Sequence, residues 1–130
     1  MGQYQVFVYG TLLVVEANHH VARPYLQHVE EGTIRGHLYS VGTYPAVVLD
    51  QDGVDIEGEW FTVNGEGLER MDWLEGYGEN RRHNYYDRVW VKDCYSNNEG
   101  FVYVFTKEKA KNLKLITSGS WREFRQISAK

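Results

Sequence analysis

Residues 33–63 read TIRGHLYS-VGTYP-AVVL-DQDG-VDIEGEWFTV, and the parsing of this stretch decides the fold. Thr33 to Tyr39 is predicted as a strand, Val41-Gly42-Thr43-Tyr44-Pro45 as a turn, and Ala46 to Leu49 as the next strand. Asp50-Gln51-Asp52-Gly53 has hairpin-turn composition. Asp55 to Val63 supplies a further strand, in which Ile56, Gly58 and Trp60 alternate with Glu57, Glu59 and Phe61 at period two. Three consecutive strands without an intervening helix exclude a strictly alternating, doubly wound sheet.

On the N-terminal side, Gln3 to Tyr9 carries Tyr4, Val6, Phe7, Val8 and Tyr9, a short apolar run closed by Gly10 that reads as a buried strand. Val21, Ala22, Tyr25, Leu26 and Val29 recur at helical spacing, and a short helix is predicted over Val21 to His28, with Pro24 restricting its start. On the C-terminal side, Asn64 to Gly76 is predicted as a helix. It sets Leu68, Met71, Asp72 and Glu75 at i, i+3, i+4 and i+7, so two carboxylates lie near an apolar stripe, where charge is expensive. Tyr85 to Tyr95 and Gly100 to Phe105 read as strands joined by the loop Ser96 to Gly100, and Ser118 to Phe124 as a turn leading into a helix. The whole is an α+β fold: a small mixed, largely antiparallel β-barrel with flanking short helices, in one domain over residues 1–130.

Composition narrows the function. Aromatic residues make up 15% of the 130 residues, with ten Tyr, four Trp and five Phe, which favours strands and pocket walls. Net charge is −4 and no basic tract exceeds Arg81-Arg82, so nucleic acid is not an expected partner. No apolar run approaches the roughly 20 residues of a membrane span, and the N-terminus lacks a signal-like segment. A complete cytoplasmic protein without a membrane partner is expected, and the single cysteine, Cys94, fits a reducing compartment and is predicted as a buried strand residue. Nothing in the sequence sets the oligomeric state.

The five histidines show no zinc-type spacing, so no metal is expected. Gly65-Glu66-Gly67 and Gly76-Tyr77-Gly78 begin like dinucleotide fingerprints, but Arg70 and Arg81 stand where the third glycine belongs, and both are read as turns. There is no P-loop and no nucleophile elbow around Ser118 and Ser120. What remains is the turn Tyr9-Gly10-Thr11-Leu12, whose backbone N–H groups could converge on an anion, and Glu75. From the residues alone, the first is equally a plain turn and the second a solvated residue at a helix end. Tyr86 and Arg88 could share a strand face, which ordinary cross-strand packing would also explain.

Taken in order, several segments resemble the γ-glutamylcyclotransferase-like family, which includes the γ-glutamylamine cyclotransferases. They are Val6-Phe7-Val8-Tyr9-Gly10-Thr11-Leu12, Gly36-His37-Leu38-Tyr39 with Gly42-Thr43-Tyr44-Pro45, Gly58-Glu59-Trp60, Leu68 to Tyr77, Tyr86-Asp87-Arg88 and Ser118-Gly119-Ser120-Trp121. The resemblance implies a small barrel with a pocket at one end and cleavage of a γ-glutamyl amide by internal attack, releasing 5-oxoproline and an amine without metal or cofactor. It implies Glu75 as general acid/base, Tyr9 to Leu12 as the loop holding the glutamyl carboxylate or reacting carbonyl, and Tyr86 with Gly42 to Tyr44 as pocket walls. Burial near Trp73, Tyr77 or Tyr86 is expected to raise the Glu75 pKa. Two departures are Ser120, where an acidic residue is expected, and the polar run Gly78 to Asn84 at the pocket rim. The alternatives are a non-catalytic module binding a small acidic metabolite, and a cyclotransferase that removes a γ-glutamyl protecting group in a biosynthetic pathway.

Overall fold

The computed structural model describes residues 2–14 and 16–128. Strand β1 (Gln3–Val8) is apolar on both sides: Val6 and Val8 enter one buried cluster, Phe7 and the following Tyr9 the other. A strand covered on both faces belongs in the middle of a sheet. β1 accordingly pairs antiparallel with β4 (Val54–Asn64) and parallel with β6 (Glu99–Val104). Outward from these lie β2 (Leu26–Ser40) and β3 (Pro45–Leu49) on one side and β5 (Asp87–Lys92) on the other, in the order β3-β2-β4-β1-β6-β5. Every pair except β1–β6 is antiparallel. The sheet curls into a half-barrel, and just beyond β6 the Phe105 N–H donates to the Val47 carbonyl of β3 at 2.9 Å.

The long strand β2 serves three partners. It pairs with β4 from Leu26 to Gly36 and with β3 from Gly36 to Ser40. Past Gly36, Leu38 to Ser40 pair with β7 (Lys114–Ile116), a three-residue strand that the sequence did not announce. The predicted helix over Val21 to His28 is corrected by this arrangement. Helix α1 spans only His19–Ala22, a 3-10 turn over Arg23–Tyr25 accommodates Pro24, and Leu26 onward is strand. The ladder to β4 satisfies the backbone there, and tertiary pairing overrides a weak helical spacing.

Helix α2 (Gly65–Glu75) follows β4 directly. Asn64 caps it, its Oδ1 accepting the Gly67 N–H at 2.8 Å, and Gly76 at φ 68° stops it in the left-handed region. Gly65-Glu66-Gly67 is therefore the first helical turn and not a separate turn. Gly67 is required by packing, since a Cβ there would lie 2.6 Å from Tyr25 Cβ. Leu68 and Met71 are buried as the spacing predicts. Helix α3 (Trp121–Ser128) begins after Ser120, whose Oγ accepts the Glu123 N–H at 3.2 Å, which gives the departure at Ser120 a capping role.

The strand predicted over Tyr85 to Tyr95 is shorter at both ends: Tyr85 and Tyr86 donate their N–H groups to the Gly76 and Glu75 carbonyls at the end of α2, and Asp93 terminates the other end. Its carboxylate collects the N–H groups of Thr33, Tyr95 and Ser96 and the Trp60 indole N–H, all within 2.9 Å. Those donors hold the Asp93 pKa below the usual carboxylate range against the opposing effect of its burial. Cys94 sits in the resulting turn and is exposed, contrary to the buried strand position expected. No helix among the described residues is long and apolar enough to cross a membrane.

Candidate active site

Where β1 ends, the chain turns away from the sheet and opens a cavity of about 420 Å³ between the Tyr9–Leu12 loop, the β2–β3 turn, the end of α2 and the segment before β5. Of the residues singled out in the sequence, Tyr9, Gly10, Thr11, Leu12, Tyr44, Glu75 and Tyr86 all line it. Gly42 does not. It lies at φ 124° with open space around it, its N–H donating to Ser40 Oγ, so it shapes the turn while Thr43, Tyr44 and Pro45 supply the wall.

The loop is held from both flanks. Leu13 N–H donates to the Gly10 carbonyl, Val14 N–H to Glu59 Oε1, and Asn18 donates through its backbone to the Thr11 carbonyl and through Nδ2 to Thr11 Oγ1. The N–H groups of Gly10, Thr11 and Leu12 themselves reach no acceptor among the described residues. Three consecutive donors without a partner among the described residues, beside a cavity, are a candidate anion cradle. Gly10 owes its identity to crowding, not to an unusual φ: a Cβ there would lie 2.6 Å from Pro45 Cγ. Gly10→Ala is expected to push the loop and the β2–β3 turn apart, costing about 1–3 kcal/mol. Urea melts of the variant beside the wild type check this, and unchanged stability would contradict it.

Glu75, the last residue of α2, faces this cradle across the cavity. No donor among the described residues holds its carboxylate, and burial pushes its pKa up to about 8. The walls responsible include Tyr86 but not the other two neighbours expected: Trp73 is 81% exposed, and Tyr77 packs beneath the Arg88 guanidinium, 4.7 Å from it.

The surrounding phenols are hydrogen-bond donors. Tyr9 donates to the Tyr103 carbonyl and Tyr86 to the Pro45 carbonyl, each at 2.6 Å. Tyr103 donates to Asp72 Oδ1 at 2.6 Å, while the Tyr44 and Tyr85 hydroxyls meet each other. Burial raises the pKa of Tyr9, Tyr86 and Tyr103, with the charge of Glu75 adding to the effect. Burial and the Tyr44 hydroxyl push Tyr85 up to about 12. These phenols stay protonated and neutral across the physiological range.

Behind the wall, Asp72 explains its place on the apolar side of α2. Its other oxygen accepts from Arg88 at 2.6 Å, and Arg88 also reaches Glu79 at 3.1 Å and lies over the Phe101 ring. Tyr86 and Arg88 thus both turn toward the α2 side, as period two suggested, although Tyr86 precedes β5. Tyr85, Tyr103 and Leu74 were not anticipated as lining residues. The only sequence signal for Tyr103 was its place, two before Phe105, in an alternating apolar strand.

A curled half-barrel thus brings the Tyr9–Leu12 loop and Glu75 into one cavity walled by tyrosines. The chain belongs to the γ-glutamyl cyclotransferase, AIG2-like family, whose model matches residues 6–123. It is similar to a protein of Halalkalibacterium halodurans named "Putative gamma-glutamylcyclotransferase BH1612", at 35% identity over 70% of this chain and 82% of that one. It is also similar to the γ-L-glutamyl-butirosin B γ-glutamyl cyclotransferase of Niallia circulans, at 31% identity over 92% of this chain and 76% of that one. The crystal structure of a mouse AIG2-like protein shares the fold, with a TM-score of 0.73 at 20% identity, covering 90% of this chain and 88% of that one.

Proposed function

We propose that this protein cleaves a γ-glutamyl amide by attack of the substrate's own α-amine on its γ-carbonyl. The new C–N bond closes the five-membered ring of 5-oxoproline, the old C–N bond breaks, and the protons lost by the attacking nitrogen end on the departing amine. The reading is supported by one observation: Glu75, its pKa raised to about 8, lines the same cavity as Gly10, Thr11 and Leu12, whose N–H groups reach no acceptor among the described residues.

In this role the cradle of Gly10, Thr11 and Leu12 receives the glutamyl carboxylate or the developing oxyanion, and tethering supplies much of the remaining barrier lowering. Glu75 takes one proton from the α-ammonium to free the attacking amine, ring closure releases a second from the same nitrogen, and both end on the leaving nitrogen, which departs as an ammonium. An α-ammonium has a pKa of about 8, so transfer to an ordinary carboxylate is uphill by several kcal/mol, whereas transfer to Glu75 is nearly thermoneutral. Tyr86 and Tyr9, whose hydroxyls are committed to backbone carbonyls, act as walls.

The test is incubation with a panel of γ-glutamyl amines and amino acids, with detection of 5-oxoproline. Turnover of at least one supports the reading; tight binding without turnover favours a metabolite-binding module instead. The pH dependence gives a second check. Activity requires ionised Glu75, so the acidic limb of kcat/KM is expected near pH 8, far above an ordinary glutamate. A profile flat from pH 5.5 to 9 would remove Glu75 from the proton path.

A further inference from the structure

The leaving-group side of the cavity has its own chemistry. With the glutamyl end held by the Tyr9–Leu12 loop and Glu75, the departing amine extends toward Tyr44 and Tyr85, the partly exposed rings of the wall. These come from different segments, yet their ring centroids lie 6.1 Å apart at 66° and their hydroxyls bond to each other. Tyr85 is braced from behind in edge-to-face contact with Tyr86 and Phe105. It remains 41% exposed, leaving a fixed aromatic surface.

The one cation on this pair among the described residues is Lys109, whose Nζ lies 4.6 Å from the Tyr85 ring centroid, outside the cavity lining. No Lys, Arg or His lines the cavity among the described residues, and Glu75 is its only carboxylate. The nearby cations are engaged: Arg88 with Asp72 and Glu79, and Lys109 with the carbonyls of Asn84 and Tyr85. Arg81, Arg82 and His83 are exposed and do not reach the lining. An amino-acid leaving group carries its carboxylate one carbon from the scissile nitrogen, inside the cavity, where no basic side chain lines the wall and Lys109 is already committed to backbone carbonyls.

Resting on the cyclotransferase reading, we infer that the leaving group is an arylalkyl primary amine without an adjacent carboxylate, its ring packed against the Tyr44–Tyr85 pair, which sets the specificity. Aromatic rings in offset or edge-to-face contact gain more than their buried area alone provides. The reaction balance is that of the proposed step, with the arylalkylamine taking the protons and no water consumed.

Three substrates separate the elements: the γ-glutamyl amides of phenethylamine, of phenylalanine and of propylamine. The first two differ only in the carboxylate, and the first and third only in the ring. The phenethyl compound is expected to exceed the propyl compound about five- to tenfold in kcat/KM and the phenylalanine compound roughly a hundredfold. Tyr44→Ala and, separately, Tyr85→Ala should bring the phenethyl-to-propyl ratio toward one. Equal or better turnover of the phenylalanine compound overturns the inference, as does a wild-type phenethyl-to-propyl ratio near one, and both leave the cyclotransferase reading standing. A ratio that survives both substitutions removes the tyrosine pair from specificity and overturns the inference as well. No 5-oxoproline from any of the three, or from the wider panel, defeats the cyclotransferase reading itself.

Discussion

Glu75→Gln is expected to abolish 5-oxoproline release, by about 10²–10⁴-fold or to the limit of detection, while leaving the protein folded. The amide keeps the size of the carboxyl but neither takes nor returns a proton. Linkage separates this loss from unfolding. The Glu75 pKa is raised in the fold, from 4.5 to about 8, so its contribution to stability is fully present below pH 4.5 and is lost as pH rises through 8. Glutamine does not titrate, and the variant is therefore expected to match the wild type near pH 4 and to exceed it by up to about 3 kcal/mol at pH 7. Urea melts at the two pH values, beside the product assay, make the test. Retained turnover would exclude Glu75 from the chemistry, and equal stability at both pH values would exclude its buried, neutral state.

The second large effect is expected from Arg88→Met. Arg88 is almost fully buried, joins Asp72 at 2.6 Å and Glu79 at 3.1 Å, and lies over the rings of Tyr77 and Phe101. Removing it leaves the Asp72 carboxylate, itself largely buried, with only the Tyr103 hydroxyl for support. Breaking one side of such a pair costs about 3–5 kcal/mol, which corresponds to roughly 10 °C or more in Tm for a chain of this size. Replacing both charges, as in Asp72→Leu with Arg88→Met, is expected to recover much of that loss, because the uncompensated charge disappears. A single variant melting within a degree or two of the wild type would show that the pair does not anchor α2. Since Asp72 and Glu75 share this helix, the destabilised protein is expected to lose activity in step.

What could be read from the sequence followed the range of the forces involved. The helix over Asn64 to Gly76 was legible because its cap, its apolar spacing and its glycine stop are local. The hairpins between Thr33 and Val63 were legible because turn chemistry and period two are local as well. The stretch Leu26 to Gly32 misled because its side chains are largely exposed and its strand character comes from pairing with β4, which no local pattern reports. Cys94 misled for a similar reason, because the turn holding it is organised by Asp93 through donors as distant as Thr33 and Trp60. The place of the Tyr9–Leu12 turn and of Glu75 on one cavity was reached through motifs in order. Tyr85 was not, since its place beside Tyr44 depends on a contact 41 residues away.

Gly76 contributes more than a stop to α2. Ending the helix there leaves Glu75 at the C-terminal pole, where the aligned peptide dipoles present their negative end. That potential opposes ionisation of the carboxyl in the same direction as burial. On the proposed reading the empty pocket therefore holds an uncharged acid at neutral pH, and an arriving α-ammonium is the counter-charge that makes a carboxylate tolerable there. Basicity becomes conditional on occupancy, and Gly76→Ala, strained at φ 68° and crowded 2.9 Å from Tyr85 Cβ, would disturb that coupling by displacing the pole from the reacting proton.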